Sequence, residues 1–236
     1  MSTSTATAAH GAYATGVGEA YLELLDYRRR VTDLYAAMRA VLPSDPREAH
    51  ARWRSGRDEL FGSHPQSALP AHERAKFAGL AYREYDPAFA FTAAVRPLPQ
   101  ERYDVGTSTG DVIPFVRFGA VDLPVGTLEV YWLDAYSGGV FLPFRDGTSG
   151  RTTYGGGRYL LDTAKGADLG RSSRSPDELD ELVLDFNFAY HPSCHYDPQW
   201  VCPLAPPANR LEVAIEAGEL TYPGASAHEL QWCTPS

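Results

Sequence analysis

The chain has 236 residues, 44% of them hydrophobic and 22% charged, and carries a formal net charge of −9. That length supports a sizeable core, and the apolar share excludes disorder over most of the chain. The acidic balance argues against a nucleic-acid partner, which needs a basic face to neutralise phosphates.

Three cysteines, Cys194, Cys202 and Cys233, do not make a disulfide scaffold. The N-terminus lacks a basic segment followed by an apolar one, and no apolar run is long enough to span a membrane. A cytoplasmic protein with no membrane partner is therefore expected. The 21 glycines and 18 prolines are in excess, and 13 of the glycines fall between Gly106 and Gly170, so the middle of the chain should be strands and turns. The basic residues are nearly all arginine, with only Lys76 and Lys165 as lysines, which fits a GC-rich genome.

Residues 1–18 are Ala, Ser, Thr and Gly without periodicity and read as a mobile tail. From Glu19 onward Leu24, Val31, Leu34, Tyr35, Met38 and Leu42 recur at three- and four-residue steps. This spacing predicts an amphipathic helix within 19–44, ending before Pro43, ahead of a single globular domain over 45–236. Arg28, Arg29 and Arg30 give it a solvated or partner-binding face, and a homodimer through this helix is the partner it allows. Asp45-Pro46-Arg47-Glu48 starts a second helix, with Asp45 as cap and Pro46 in the first turn, running to about Phe61. A short third helix is predicted over Pro70–Phe77.

After Leu80 the pattern becomes β. Phe89–Val95, Val112–Phe118, Leu128–Leu133 and Gly139–Phe144 are short β-prone runs parted by turn residues, and Leu182–Phe186 and Leu211–Ile215 are two more. Gly170–Asp180 reads as a polar surface loop. Regular spacing without intervening helices predicts an antiparallel meander. The expected fold class is α+β to mainly β, with N-terminal helices packed on a barrel-like or sandwich sheet.

Several motifs fail their context. Gly106-Thr107-Ser108-Thr109-Gly110 spells a nucleophile elbow, but strand-like Val112-Ile113-Pro114-Phe115 follows it, so Ser108 belongs to a hairpin turn. His72-Glu73 and His228-Glu229 lack the second histidine of a zincin helix, and no Lys-Ser/Thr follows Gly155-Gly156-Gly157. His191, Cys194, His195 and Cys202 put imidazoles and thiols into one proline-braced loop. Those are donor types for zinc or iron, at a spacing that fits no standard structural zinc site, and a Cys194–Cys202 redox pair or buried thiols fit equally.

Two blocks carry a resemblance. One runs from Phe141-Leu142-Pro143-Phe144-Arg145-Asp146-Gly147 to Arg158-Tyr159-Leu160, the other from Leu184-Asp185-Phe186-Asn187-Phe188-Ala189-Tyr190-His191-Pro192-Ser193-Cys194 through Cys202 to Glu219. With Trp53–Phe61 and Phe77–Leu80 upstream, the chain resembles, over about Trp53 to Glu219, the uncharacterised bacterial family catalogued as domain of unknown function 1684. The resemblance implies that Cys194 and Cys202 are family-typical. It also implies that His191 and His195 replace an asparagine and a small residue, which makes a histidine metal site particular to this chain.

Physically, Arg145 and Arg158 beside glycine-rich turns are groups for gripping an anion. Asn187 and Tyr190 would add hydrogen bonds, and Asp185, Asn187 and Ala189 would share one strand face. Asp146, Tyr154 and His191 would handle protons. The expected function is an enzyme that turns over a small polar or anionic metabolite by acid–base chemistry, as a lyase, isomerase or hydrolase, with no nucleotide cofactor. A metal-dependent enzyme built on the His/Cys loop and a non-catalytic binding or scaffold protein are the alternatives. The counter-reading gives these groups to the fold, with Arg145 paired to Asp185 and Asn209-Arg210 locking the proline-rich loop to the sheet.

Overall fold

The computed structural model describes residues 15–136, 138–172 and 181–225. Three helices open the chain: α1 (Thr15–Val41), α2 (Pro46–Ser63) and the short α3 (Ala71–Arg74). The strands are β1 (Ala90–Ala94), β2 (Arg96–Gly106), β3 (Val112–Leu123), β4 (Gly126–Leu133), β5 (Val140–Phe144), β6 (Arg158–Asp162), β7 (Arg171–Ser172) and β8 (Glu181–Asp185). The first helix thus starts inside the stretch expected to be tail. Residues 1–14, most of the 170–180 loop and Cys233 lie outside the described residues.

Local chemistry sets the helix boundaries. The Asp45 side chain accepts the Glu48 backbone N–H at 3.0 Å, and Pro46 occupies the first turn, where a missing N–H costs nothing. α1 and α2 lie close because Gly56 presents no side chain. A Cβ there would stand 2.6 Å from a methyl of Leu34. Tyr35 and Met38 of α1 join Ala49 and Trp53 of α2 in one cluster with Phe115, Tyr131, Phe141 and Tyr159 of the sheet. Trp53 is fully buried, and truncating such a side chain typically costs about 3–5 kcal/mol.

β2 to β6 form a five-stranded antiparallel meander in sequence order, and β1, β8 and β7 form a second sheet of three strands. The expected helices on antiparallel sheet are present, as a sandwich-like pair rather than a closed barrel. Between the sheets lies a second cluster, with Ala93 and Leu184 on one side and Val121, Val130, Leu142, Phe144 and Leu161 on the other.

Three segments depart from expectation, the shortest being β7, which pairs with β8 at the start of the stretch expected as a loop. β2 carries Pro97, Pro99 and four charged residues, a pattern that does not read as strand. It forms because it is an edge, paired only to β3 with a bulge between Pro97 and Glu101, where proline is tolerated. Leu211–Ile215 is buried at Leu211 and Ile215 yet forms no strand. Its Leu211 N–H reaches the Arg145 carbonyl, while the Ile215 and Ala217 carbonyls accept from the Arg158 guanidinium instead of a neighbouring strand.

Asn209 fastens this segment, as the counter-reading of the sequence has it. It is fully buried, accepts the Glu129 N–H at 2.8 Å and donates to the carbonyls of Glu129 and Pro143 at 2.9 and 2.8 Å. Asn209→Ala strands three backbone groups, one buried and two part-buried, and is expected to cost about 3 kcal/mol, measured by urea unfolding. An unchanged midpoint would show that water replaces the side chain.

Candidate functional site

Arg158 and Asp146 meet in the interior, 1% exposed each. Arg158 Nη2 donates to Asp146 Oδ2 at 2.6 Å and to the Ile215 carbonyl at 3.1 Å, and Nη1 donates to the Ala217 carbonyl. The other Asp146 oxygen accepts the Thr148 N–H at 2.6 Å. Burial lowers the Arg158 pKa and Asp146 opposes the shift. Arg145 sits apart, in a shallow depression with Tyr103 and Pro207. The two arginines do not converge.

Asn187 is also turned inward. β8 ends at Asp185 and residues 186–188 form a 3-10 turn, so the strand alternation expected from Asp185 to Tyr190 stops there. Asn187 donates to the Asp185 carboxylate at 2.7 Å and to the Asp86 carbonyl at 2.8 Å, while Tyr85 OH donates to Asp185 at 3.1 Å. Asp185 is thus paired with Tyr85 and Asn187 rather than with Arg145.

The groups that do converge surround a cavity of about 260 Å³ between α1 and the rest of the chain. α1 contributes Tyr27, Val31 and Tyr35. α2 contributes Arg57 and Phe61, β6 contributes Tyr159, and the 190–202 segment contributes Tyr190, His191 and Cys202. Lys165, half-exposed and 3.0 Å from Asp162, lies on the same wall. Tyr190, His191 and Cys202 are therefore the sequence-selected residues the structure brings together.

One buried carboxylate organises this wall. Glu219 Oε2 accepts from Arg57 Nη2 at 2.8 Å and from the His191 N–H at 2.9 Å, and Oε1 accepts the Tyr196 hydroxyl. Arg57 also donates to Tyr82 OH at 3.0 Å and lies over the Trp53, Phe61 and Tyr190 rings at 5.1, 5.2 and 5.0 Å. Gly218 (φ +78°) brings Glu219 into place, and a Cβ there would stand 2.7 Å from the Phe186 carbonyl oxygen.

His191 is 2% exposed, and its Nε2 accepts the Tyr154 backbone N–H at 3.1 Å. An accepting Nε2 puts the proton of a neutral ring on Nδ1. That Nδ1 has no hydrogen-bond partner and stands 3.8 Å from Glu219. Burial, then His195, Arg158 and Arg57, hold the His191 pKa well below the usual histidine range. Burial likewise raises the Tyr159 and Tyr190 phenols well above theirs.

The metal reading meets an obstacle in the donor set. His195 Nε2 accepts the Tyr222 N–H at 3.1 Å, as His191 Nε2 accepts Tyr154, so backbone donors already occupy both lone pairs. Among the described residues no group of three or more His, Cys, Asp or Glu side chains is arranged to hold a metal. Cys194 and Cys202 are both free thiols in mutual contact, with the Cys194 N–H 3.4 Å from Cys202 Sγ. Tyr154, expected to move protons, places its hydroxyl 3.8 Å from Cys194 Sγ. Ser108 holds the far side of this loop from its hairpin turn, donating to the Trp200 carbonyl at 2.8 Å and accepting the Cys202 N–H at 3.1 Å.

Fold and site together define an α+β protein with an aromatic cavity roofed by its first helix. The chain belongs to the family described as "Protein of unknown function (DUF1684)", whose model matches residues 75–220. The Trp53–Phe61 block lies ahead of that match. A solution NMR structure of the uncharacterized protein from gene locus rrnAC0354 of Haloarcula marismortui is 34% identical, covering 71% of this chain and 90% of that one with a TM-score of 0.49. No curated protein matches the chain. Among the described residues no helix is long and apolar enough to cross a membrane.

Arg57, Tyr159, Lys165 and Glu219 were not singled out from sequence. Val31 and Tyr35 read from sequence as part of an amphipathic helix stripe, and Tyr27, one turn earlier, completes the roof.

Removing one member of the Arg158–Asp146 pair leaves an uncompensated buried charge. Arg158→Met is expected to cost about 3–5 kcal/mol, and combining it with Asp146→Leu to restore part of that loss, in urea titrations. Equal losses for the single and double variants would mean the carbonyl contacts, not the pair, carry the stability.

Burial raises Asp185 from 3.8 to about 6 against its hydrogen bonds, so its contribution is present below pH about 4 and lost as pH rises through 6. His50 runs the other way. Burial, then Arg54, lowers it from 6.5 to about 4, so its contribution is lost as pH falls through 4. Asp185→Asn should therefore steepen the acid loss of stability between pH 6 and 4, by up to about 3 kcal/mol. An unaltered slope in thermal melts across that range would refute the assignment.

Proposed function

We propose that the protein binds a small organic molecule in the cavity beneath α1, with a largely apolar or aromatic body and a hydrogen-bond-accepting or anionic head. The observation that carries this is His191, which lines an aromatic cavity and whose buried Nδ1 makes no hydrogen bond. A buried donor left unmatched costs about 1–3 kcal/mol, so a bound acceptor such as a carbonyl or carboxylate oxygen has something to satisfy. The tyrosines supply flat apolar surface, and Lys165 gives the wall a positive group. At about 260 Å³ the space falls below the usual range for drug-sized ligands, which is too small for a dinucleotide and fits a single-ring or short-chain metabolite.

This reading keeps the small-molecule partner and replaces the arginine grip with the cavity wall. Proton transfer by His191, Tyr159 or Tyr190 is disfavoured near neutral pH, because burial fixes each in one protonation state. Asp146, bound to Arg158, does not line the cavity.

Thermal shift with aryl carboxylates such as benzoate and phenylacetate tests the proposal. A ligand at 100 times its Kd is expected to stabilise the protein by about 2.7 kcal/mol. Val31→Trp, which fills the cavity from α1, should abolish the shift in a folded protein. No shift across the panel, with Val31→Trp simply raising Tm, would identify the cavity as a packing void.

A further inference from the structure

We propose that Cys202 and Cys194 form a reactive dithiol in which Cys202 attacks a hydroperoxide entering the α1 cavity and Cys194 closes a disulfide. This goes beyond the binding proposal and requires only that a small molecule reach the cavity wall.

The geometry meets the requirements of such a pair in turn. Cys202 is 4% exposed, and the surface it lines belongs to the cavity. Its sulfur accepts the Cys194 N–H at 3.4 Å, so the two free cysteines are neighbours. A backbone donor on that sulfur favours its thiolate form, and it comes from the resolving cysteine. Ser108 pins the Cys202 backbone N–H at 3.1 Å, so the nucleophile sits on a braced segment although it lies in a loop. The Cys194 thiol supplies the largest effect holding Cys202 down to about 7, burial opposes it, and Lys165 adds to the lowering. Cys194 is correspondingly pushed up and keeps its proton. A structural thiol has no need of this arrangement. Two buried cysteines acting as small hydrophobes would pack without a backbone N–H aimed at one sulfur.

The reaction balances without a metal. The Cys202 thiolate attacks the terminal oxygen of ROOH, the O–O bond breaks, and the departing alkoxide takes the Cys194 proton, giving Cys202 sulfenic acid, ROH and the Cys194 thiolate. Cys194 then attacks the Cys202 sulfur, the S–O bond breaks, and the released hydroxide takes a proton from solvent. Two thiol sulfurs are oxidised by two electrons in all, and one peroxide is reduced to alcohol and water.

The full chain, reduced with dithiothreitol and desalted, is treated with one equivalent of hydrogen peroxide. Two of the three cysteines should lose their thiols, with a mass decrease of two hydrogens, a Cys194–Cys202 cross-link in the peptide map and recovery by dithiothreitol. Cys202→Ser should slow peroxide consumption at least about tenfold. Cys194→Ser should arrest the reaction at a sulfenic acid that dimedone traps on Cys202. The proposal is overturned if folded Cys202→Ser and Cys202→Ala proteins consume peroxide at the wild-type rate, if the cross-link joins other cysteines, or if excess peroxide leaves both thiols intact. Thiol loss and ligand-induced Tm shifts are separate readouts, so either proposal can fail without the other.

Discussion

A carboxylate with no access to water has to be matched by donors, and Glu219 is matched by groups from three parts of the chain. Arg57 comes from α2, the His191 amide from the segment after β8, and the Tyr196 hydroxyl from the turn beyond it. An isolated buried charge costs far more than the domain's net stability can absorb, so these segments hold their places together or not at all. Arg158 reinforces the same stretch from the other side through the carbonyls of Ile215 and Ala217. Residues 215–219 are thus an irregular segment spiked by two arginines, and the helices, the sheet and the cysteine loop all attach to it.

This arrangement explains what the sequence could and could not reveal. Helix α2 was legible because Asp45-Pro46 encodes its start locally. The meander was legible because β3, β4 and β5 alternate with turn residues. β2 was hidden by prolines and charges that only an edge strand tolerates, and 211–215 looked like a strand because burial without a ladder leaves the same apolar signature as burial with one.

For the site, the 190–202 segment was visible as a concentration of unusual donors, and Tyr190, His191 and Cys202 do line the cavity. The arginine pair was misplaced for a physical reason. Glycine-rich flanks show that the backbone turns, but whether a guanidinium then faces water or the interior depends on partners such as Asp146 and the carbonyls at 215 and 217, many residues away. Arg57 and Tyr159 were missed for the converse reason. Each looks like an ordinary surface or core residue in its own element, and only the packing of α1 over both makes a chamber.

The roof and the floor of that chamber have separate origins in the chain. Tyr159, Lys165, Tyr190, His191 and Cys202 all fall within the residues that match the family, whereas α1 precedes them and is held by contacts along its length, including Asp26 to His64 at 3.2 Å and Arg39 to the Asp168 carbonyl at 2.8 Å. The chamber is therefore closed by a helix that lies ahead of the family match, over a wall that lies largely within it. Replacing α1 would reshape the chamber from above and leave Tyr159, Tyr190, His191 and Cys202 in place below.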